Sequence, residues 1–418
     1  MLVTFIISLF KFATDNDLNP STIKSVDRFQ NIRSKQDPLL GIRALACLNV
    51  FFGHWFINAF MPGIISLAYP YNYIVLTLFS CSPWGGVWIF FTLSGYLMGK
   101  GFVTRRHNLT RNGIKKFYTH RMRRILPIYF SVIFIVAILM SPQTLDFRNP
   151  LMVNEFLEYC LFDLNGLRGT NGVLWSLSTE CQFYLLVPFL YLMIAFFFTS
   201  TKKLLFFVIS LCVGFVSMRY WLLSEGYSWH PKVYMPFLTN IDCFLVGVTT
   251  SIIVNNYRKS EFYLKNGMRY GFISVIALQV LLTGWSYPAI VVLKWFNSFM
   301  SLAPAVIALG TGVCIFFFET AELKQRSHNP FWKISAFAGA ITYCFYVWHW
   351  PIIFSIRKLF PPQITLLESV CILPFGFIST LLVAYIFYQF VEKFYDNNKL
   401  NINTIEDKTI AHASVLSN

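Results

Sequence analysis

The sequence predicts an all-α, polytopic membrane protein of about ten transmembrane helices, with both termini cytoplasmic. Three observations carry this. Apolar residues make up 56% of the 418-residue chain and charged residues 13%, against about 25% charged in soluble domains. The apolar residues gather in blocks of about 20 with few charges, the length a helix needs to cross a bilayer core. The basic residues cluster in alternate loops, as cytoplasmic loops do. Helices are the economical solution because lipid offers no partner to an unpaired backbone group.

The blocks place spans at 39–60, 84–103, 125–140, 176–199, 204–223, 234–254, 270–289, 296–318, 337–357 and 366–388. With both termini inside, the inner segments hold 25 of the 34 Lys and Arg and the outer segments 5. That alternation supports the count. It also sets aside nucleic acid as a partner of this chain of net charge +15, because the surplus faces the cytoplasmic membrane surface. The stretch 64–80 is apolar but contains Pro70. As a span it would invert every later loop, so it reads as a re-entrant or interfacial piece. MLVTFIISLF at the start is too short to span and lacks the basic region of a cleavable signal. The chain thus divides into a cytoplasmic segment 1–36, a membrane domain 37–396 and a cytoplasmic tail 397–418.

Nine Cys are scattered with no Cys-x-x-Cys pair and no His/Cys metal spacing. They read as small buried apolar residues, and no metal site is expected. The loop 104–124 carries eight basic residues and no acidic one, and the outer segment 141–175 holds Asp146, Glu155, Glu158 and Asp163.

Ionisable groups inside spans are costly and are functional candidates by default. The first span holds Arg43 and His54, eleven residues apart and hence on one helix face. The fourth opens Trp175-Ser176-Leu177-Ser178-Thr179-Glu180, with Tyr184 one turn below Glu180. The ninth contains Tyr343, Tyr346, Trp348, His349, Trp350 and Pro351. Counted at 1.5 Å per residue, His54 lies roughly 22 Å in from the inner edge, His349 roughly 20 Å, and Glu180 roughly 6 Å from the outer edge. One polar site in the outer half, built from three helices, is the expectation. Arg121 and Arg124 share a face at the cytoplasmic mouth and suit bidentate phosphate recognition; attraction to anionic lipid is the bland alternative.

These pieces together resemble the acyltransferase-3 family of integral membrane acyltransferases. The resemblance runs from about residue 37 to 396. Its carriers are Arg43 with His54, the run Phe90-Phe91-Thr92-Leu93-Ser94-Gly95-Tyr96-Leu97, and the block Arg121-Met122-Arg123-Arg124-Ile125-Leu126-Pro127-Ile128-Tyr129. Trp175-Ser176-Leu177 with Glu180, Phe183, Tyr184 and Pro188, then Tyr343 to Pro351, then Phe390-Val391-Glu392-Lys393, complete the set. Asp37-Pro38-Leu39-Leu40-Gly41-Ile42-Arg43 departs from the family's usual Asp-Gly-Leu-Arg-Gly opening.

The resemblance implies transfer of an acyl group, in the first place acetyl, from cytoplasmic acyl-CoA to a hydroxyl of a sugar, glycan or lipid at the outer side. Acyl-CoA is then a co-substrate, and no cofactor is bound permanently. By the same resemblance His54 is the catalytic base. Arg43, Arg121, Arg124 and Tyr129 are donor-side residues. Glu180 orients the imidazole or binds the acceptor. Trp175, Ser178, Tyr184, Tyr346 and His349 are acceptor-side or supporting residues. The competing reading is a proton-coupled secondary transporter with a His/Glu relay. It leaves the arginine cluster without a task.

Overall fold

The computed structural model describes residues 37–56, 82–140, 142–146, 148–161, 172–197, 200–284, 296–322, 330–361 and 364–392. The expected terminal segments, the 64–80 piece and most of the Gly-rich end of the 141–175 segment lie outside them. The elements are α1 (Pro38–Gly53), α2 (Pro83–Val103), α3 (Arg111–Met140), the short α4 (Pro150–Leu161) and α5 (Trp175–Phe197). They continue with α6 (Thr201–Ser224), α7 (Ile241–Tyr257), α8 (Glu261–Gly284), α9 (Phe296–Thr320), α10 (Pro330–Arg357) and α11 (Leu366–Phe387). Among the described residues, nine helices are long and apolar enough to cross a membrane. α8, at 24 residues, is a tenth long helix and packs along α9. α4, at 12 residues, spans about 18 Å and cannot cross a core of about 30 Å.

Local chemistry sets the helix starts. Asp37 caps α1, its Oδ1 accepting from Leu39 N at 3.0 Å, and Pro38 takes the first helical position. Ser82 and Pro83 repeat this at α2, with Gly85 N donating to Ser82 Oγ at 3.1 Å. Both use an oxygen cap followed by a residue with no N–H to leave orphaned. At α11, Thr365 and Glu368 form a reciprocal capping box.

α2 and α7 form the centre, flanked by α1, α5 and α9, with α10 and α11 beyond α1. Glycines bring α2 and α7 together. A Cβ on Gly95 would lie 2.1 Å from the Phe244 carbonyl oxygen, and one on Gly247 would lie 2.1 Å from that of Thr92. Small residues are what allow backbones this close in membrane helix pairs. Gly95→Val should cost about 1–3 kcal/mol or more through overpacking. It should show as a lowered thermal midpoint in detergent.

Several polar pairs tie helices together inside the bundle. Arg219 and Asp242, both almost fully buried, form a bidentate pair at 2.9 and 3.1 Å. Arg219 also donates to the carbonyls of Thr239 (2.7 Å) and Ser301 (2.9 Å), tying α6 to α7 and α9. Lys100 on α2 meets Glu319 on α9 at 2.8 Å. Asn49 on α1 and Gln279 on α8 exchange amide hydrogen bonds at 3.1 and 3.3 Å.

Four helix starts differ from the sequence expectation by more than three residues, two of them by simple extension: α8 begins at Glu261 rather than 270 and α10 at Pro330 rather than 337. The third helix begins at Arg111 rather than 125 and runs 30 residues, so Arg121 and Arg124 sit within a helix and not in a loop. No proline interrupts 111–126, and long basic side chains are good helix formers. Pro127 is accommodated inside it. The sixth span begins at Ile241 rather than 234. Asn240 Nδ2 instead donates to the carbonyls of Tyr234 (2.6 Å) and Pro236 (2.9 Å), holding an irregular entry turn.

Candidate active site

Two polar groupings, joined through Tyr346, make up the site. The first is a pair of imidazoles. α1 ends in a single π turn over 54–56, a distortion that recurs at functional sites. There His54 Nδ1 lies 2.8 Å from Nε2 of His349 on α10. The rings are nearly parallel, with centroids 5.1 Å apart and 12° between planes. Trp350 stands edge-on to His54 at 4.9 Å. His349 is 1% exposed, and its Nδ1 is hydrogen-bonded to the Tyr346 carbonyl oxygen. The matching depths expected for His54 and His349 thus correspond to direct contact.

The second grouping lines a cavity of about 800 Å³ including its mouth. α5 contributes Ser176, Glu180 and Tyr184, which at four-residue spacing form one stripe. α2 contributes Phe90, Ser94 and Met98 in the same spacing. α1 brings Arg43, α3 brings Arg121, Arg124 and Ile125, and α10 brings Thr342, Tyr343 and Tyr346. The Glu180 carboxylate accepts from the hydroxyls of Ser94 and Tyr184. Arg121 is half-buried, its guanidinium over the rings of Tyr184 (5.8 Å) and Phe117 (5.9 Å). Arg124 is exposed and marks the mouth. The Nε atoms of Arg43 and Arg121 are buried with no hydrogen-bond partner among the described residues. A buried guanidinium N–H normally finds an acceptor, so these two point to an anionic group that enters from outside the chain.

Tyr346 belongs to both groupings. Its hydroxyl lines the cavity and pairs with Ser176 Oγ at 2.7 Å. Its main-chain carbonyl, on the other side, holds His349.

Arg43, Arg121, Arg124, Glu180, Tyr184 and Tyr346 therefore converge on one cavity, as His54 and His349 converge on each other. Three expected participants stand apart. Tyr129 is fully buried off the cavity against Phe130, five residues and so roughly 140° round the helix from Arg124. Ser178 lies two residues from both Ser176 and Glu180, on the opposite face of α5, with Gln182 as a neighbour. Trp175 packs on Tyr234 at 4.6 Å and Phe91 at 6.1 Å.

Glu180 also differs from the expectation: it shares its space with the arginines and does not contact the imidazoles. Val173, Leu174 and Trp175 are themselves buried. α5 starts inside the protein, so a depth counted from residue 176 sets Glu180 too near the surface. The sequence reading names Phe90, Ser94 and Tyr343 only within motif runs and gives no site role to them or to Thr342. Neutral residues in apolar runs carry no cost signal, although the four-residue spacing of Phe90, Ser94 and Met98 was there to be seen.

Comparison with known proteins identifies the family and several relatives. The family model described as an acyltransferase domain, acyltransferase-3, matches residues 39–389. An O-acetyltransferase named OatA from Staphylococcus aureus is 23% identical over 343 residues, 73% of this chain and 51% of its own length. A Bacillus subtilis protein provisionally named peptidoglycan O-acetyltransferase YrhL is 24% identical over 333 residues, 75% of this chain and 48% of its own. An uncharacterized protein of Haemophilus influenzae is 27% identical over 192 residues, 41% of this chain and 76% of its own. The chain spans about half the length of OatA and YrhL. No solved structure matches. With its family model covering most of the chain over a multi-pass helical body, this protein belongs to the acyltransferase-3 family of integral membrane acyltransferases.

Proposed function

We propose that this protein moves an acetyl group from cytoplasmic acyl-CoA to a hydroxyl of a carbohydrate acceptor at the outer side of the membrane, with both termini inside. The observation that carries the donor half is the pair of buried, unpartnered Nε atoms of Arg43 and Arg121 in a cavity that holds three guanidinium groups against one carboxylate. Arginine forks match phosphate oxygens, so the cavity suits the phosphates of the donor. Phe90, Phe91 and Leu97 line it with the apolar surface that a flexible thioester arm would cross. The acceptor class draws on the O-acetyltransferase names of OatA and YrhL.

In this reading the lone pair of a His54 nitrogen takes the acceptor's hydroxyl proton as the oxygen attacks the thioester carbonyl. The tetrahedral intermediate collapses, the C–S bond breaks, and the proton passes from His54 to the departing thiolate. An O-acyl ester and a free thiol result. The Tyr346 hydroxyl, paired with Ser176, is the donor assigned to the developing oxyanion.

Arg121→Ala tests the donor assignment. Loss of one charge-assisted contact of about 1.5–3 kcal/mol should raise the acetyl-CoA KM by roughly 10–100-fold and leave the acceptor KM nearly unchanged. Isothermal titration of acetyl-CoA into the detergent-solubilised protein should show the same loss. An unchanged donor affinity, or no acetyl-CoA binding by the unaltered protein, would refute it.

A further inference from the structure

We infer that His349 is the positioning residue of the imidazole pair and that the Tyr346 carbonyl, acting through it, fixes which nitrogen of His54 is basic. The role given to this pair rests on the acyl-transfer reading above, but the proton arrangement follows from geometry alone. A carbonyl oxygen can only accept, so the His349 Nδ1 bonded to it carries the hydrogen. A neutral imidazole has one N–H. His349 Nε2 is therefore a lone-pair acceptor. The nitrogen facing it at 2.8 Å, His54 Nδ1, must then donate. That leaves the second lone pair on His54 Nε2, which has no hydrogen-bond partner among the described residues.

The arrangement suits a base. The hydrogen bond to His349, with only 12° between the two ring planes, and the edge of Trp350 hold the His54 ring plane. When Nε2 takes a proton, the imidazolium charge is already met by a hydrogen bond from Nδ1–H to His349 Nε2, with no ring flip. An orienting group on a catalytic base is commonly a carboxylate. A neutral imidazole performs the same task without placing a second charge inside a membrane span. Glu180, expected from the sequence to orient His54, is engaged by Ser94 and Tyr184 and leaves this task to His349.

Two measurements on the full chain in detergent test this. In the first, long-range proton–nitrogen NMR of histidine-labelled protein reads the tautomers without turnover. The expected signature is Nδ1–H on both His54 and His349. His349→Leu should return His54 to the Nε2–H form that histidine favours in water, whereas His349→Gln, whose side-chain oxygen can accept from Nδ1–H, should retain Nδ1–H. Nε2–H on His54 in the unaltered protein, or no change in His349→Leu, overturns the inference whatever the protein catalyses. In the second, transfer from acetyl-CoA to a peptidoglycan-derived disaccharide is followed. His349→Leu should lower kcat by about 10²-fold or more with the acetyl-CoA KM unchanged. His349→Gln should stay within about tenfold of the unaltered enzyme. His54→Ala/His349→Leu should be no slower than His54→Ala, because a residue acting through another adds nothing once that one is gone. Full additivity, or a loss confined to KM, refutes the positioning role. Absence of transfer by the unaltered protein counts against the function and leaves the NMR result standing.

Discussion

Alanine in place of His54 is expected to lower acyl transfer by about 10²–10⁴-fold, the range that a positioned general base contributes. His54 sits at the end of α1, half-buried, and among the described residues its polar partner is His349. Its removal leaves the Arg219–Asp242 and Lys100–Glu319 pairs intact. The variant should therefore insert, elute as the unaltered protein does and bind acetyl-CoA with similar affinity. Acetyl release to acceptor in proteoliposomes, measured beside acetyl-CoA titration, separates the two effects. Transfer at the unaltered rate would remove His54 from the base role.

The largest stability effect is expected at Arg219. Its guanidinium is 0% exposed and makes four hydrogen bonds, two of them to Asp242. Arg219→Met strands the Asp242 carboxylate, and breaking a buried pair from one side costs about 3–5 kcal/mol. Replacing both partners, Arg219→Met with Asp242→Leu, removes the stranded charge and should recover most of that loss. Thermal unfolding in detergent should rank the double variant above either single one. A double variant as unstable as Arg219→Met would mean that the bonds to the Thr239 and Ser301 carbonyls, not the ion pair, hold the three helices.

The bundle was legible in the sequence because hydrophobic blocks and loop charges are properties of the chain itself. The family was legible because its motifs keep their order. His54 and His349 could be paired by depth alone, since α1 and α10 run parallel, with Leu40 beside Gly339 and His54 beside His349, and depth accumulates evenly along each. The same counting failed for Glu180, whose helix follows a turn at 172–174 in which Val173 and Leu174 are buried. Burial of a helix start has no local signature. Tyr129 and Ser178 entered with the family blocks that hold Arg124 and Glu180, and helical rotation carried both away from the cavity. Asp37 shows the reverse. Its motif departs from the family's usual form, yet its side chain still caps α1, because an N-cap asks only for an oxygen ahead of the first turn.

Lys100 and Arg219 each face an acid at about 3 Å, whereas the cavity proposed for the donor is lined by three guanidinium groups, two of them with a buried Nε that finds no acceptor among the described residues. In a slab of low dielectric, salt does little to screen such an imbalance. Field lines from the helix bundle gather in this one opening, and clefts of a single sign draw counter-ions inward. A polyanion is thus pulled toward the mouth at Arg124 before any specific contact forms. Once its phosphates are seated, mutual repulsion among the three cations falls. The loaded protein is then the less strained and more heat-resistant one.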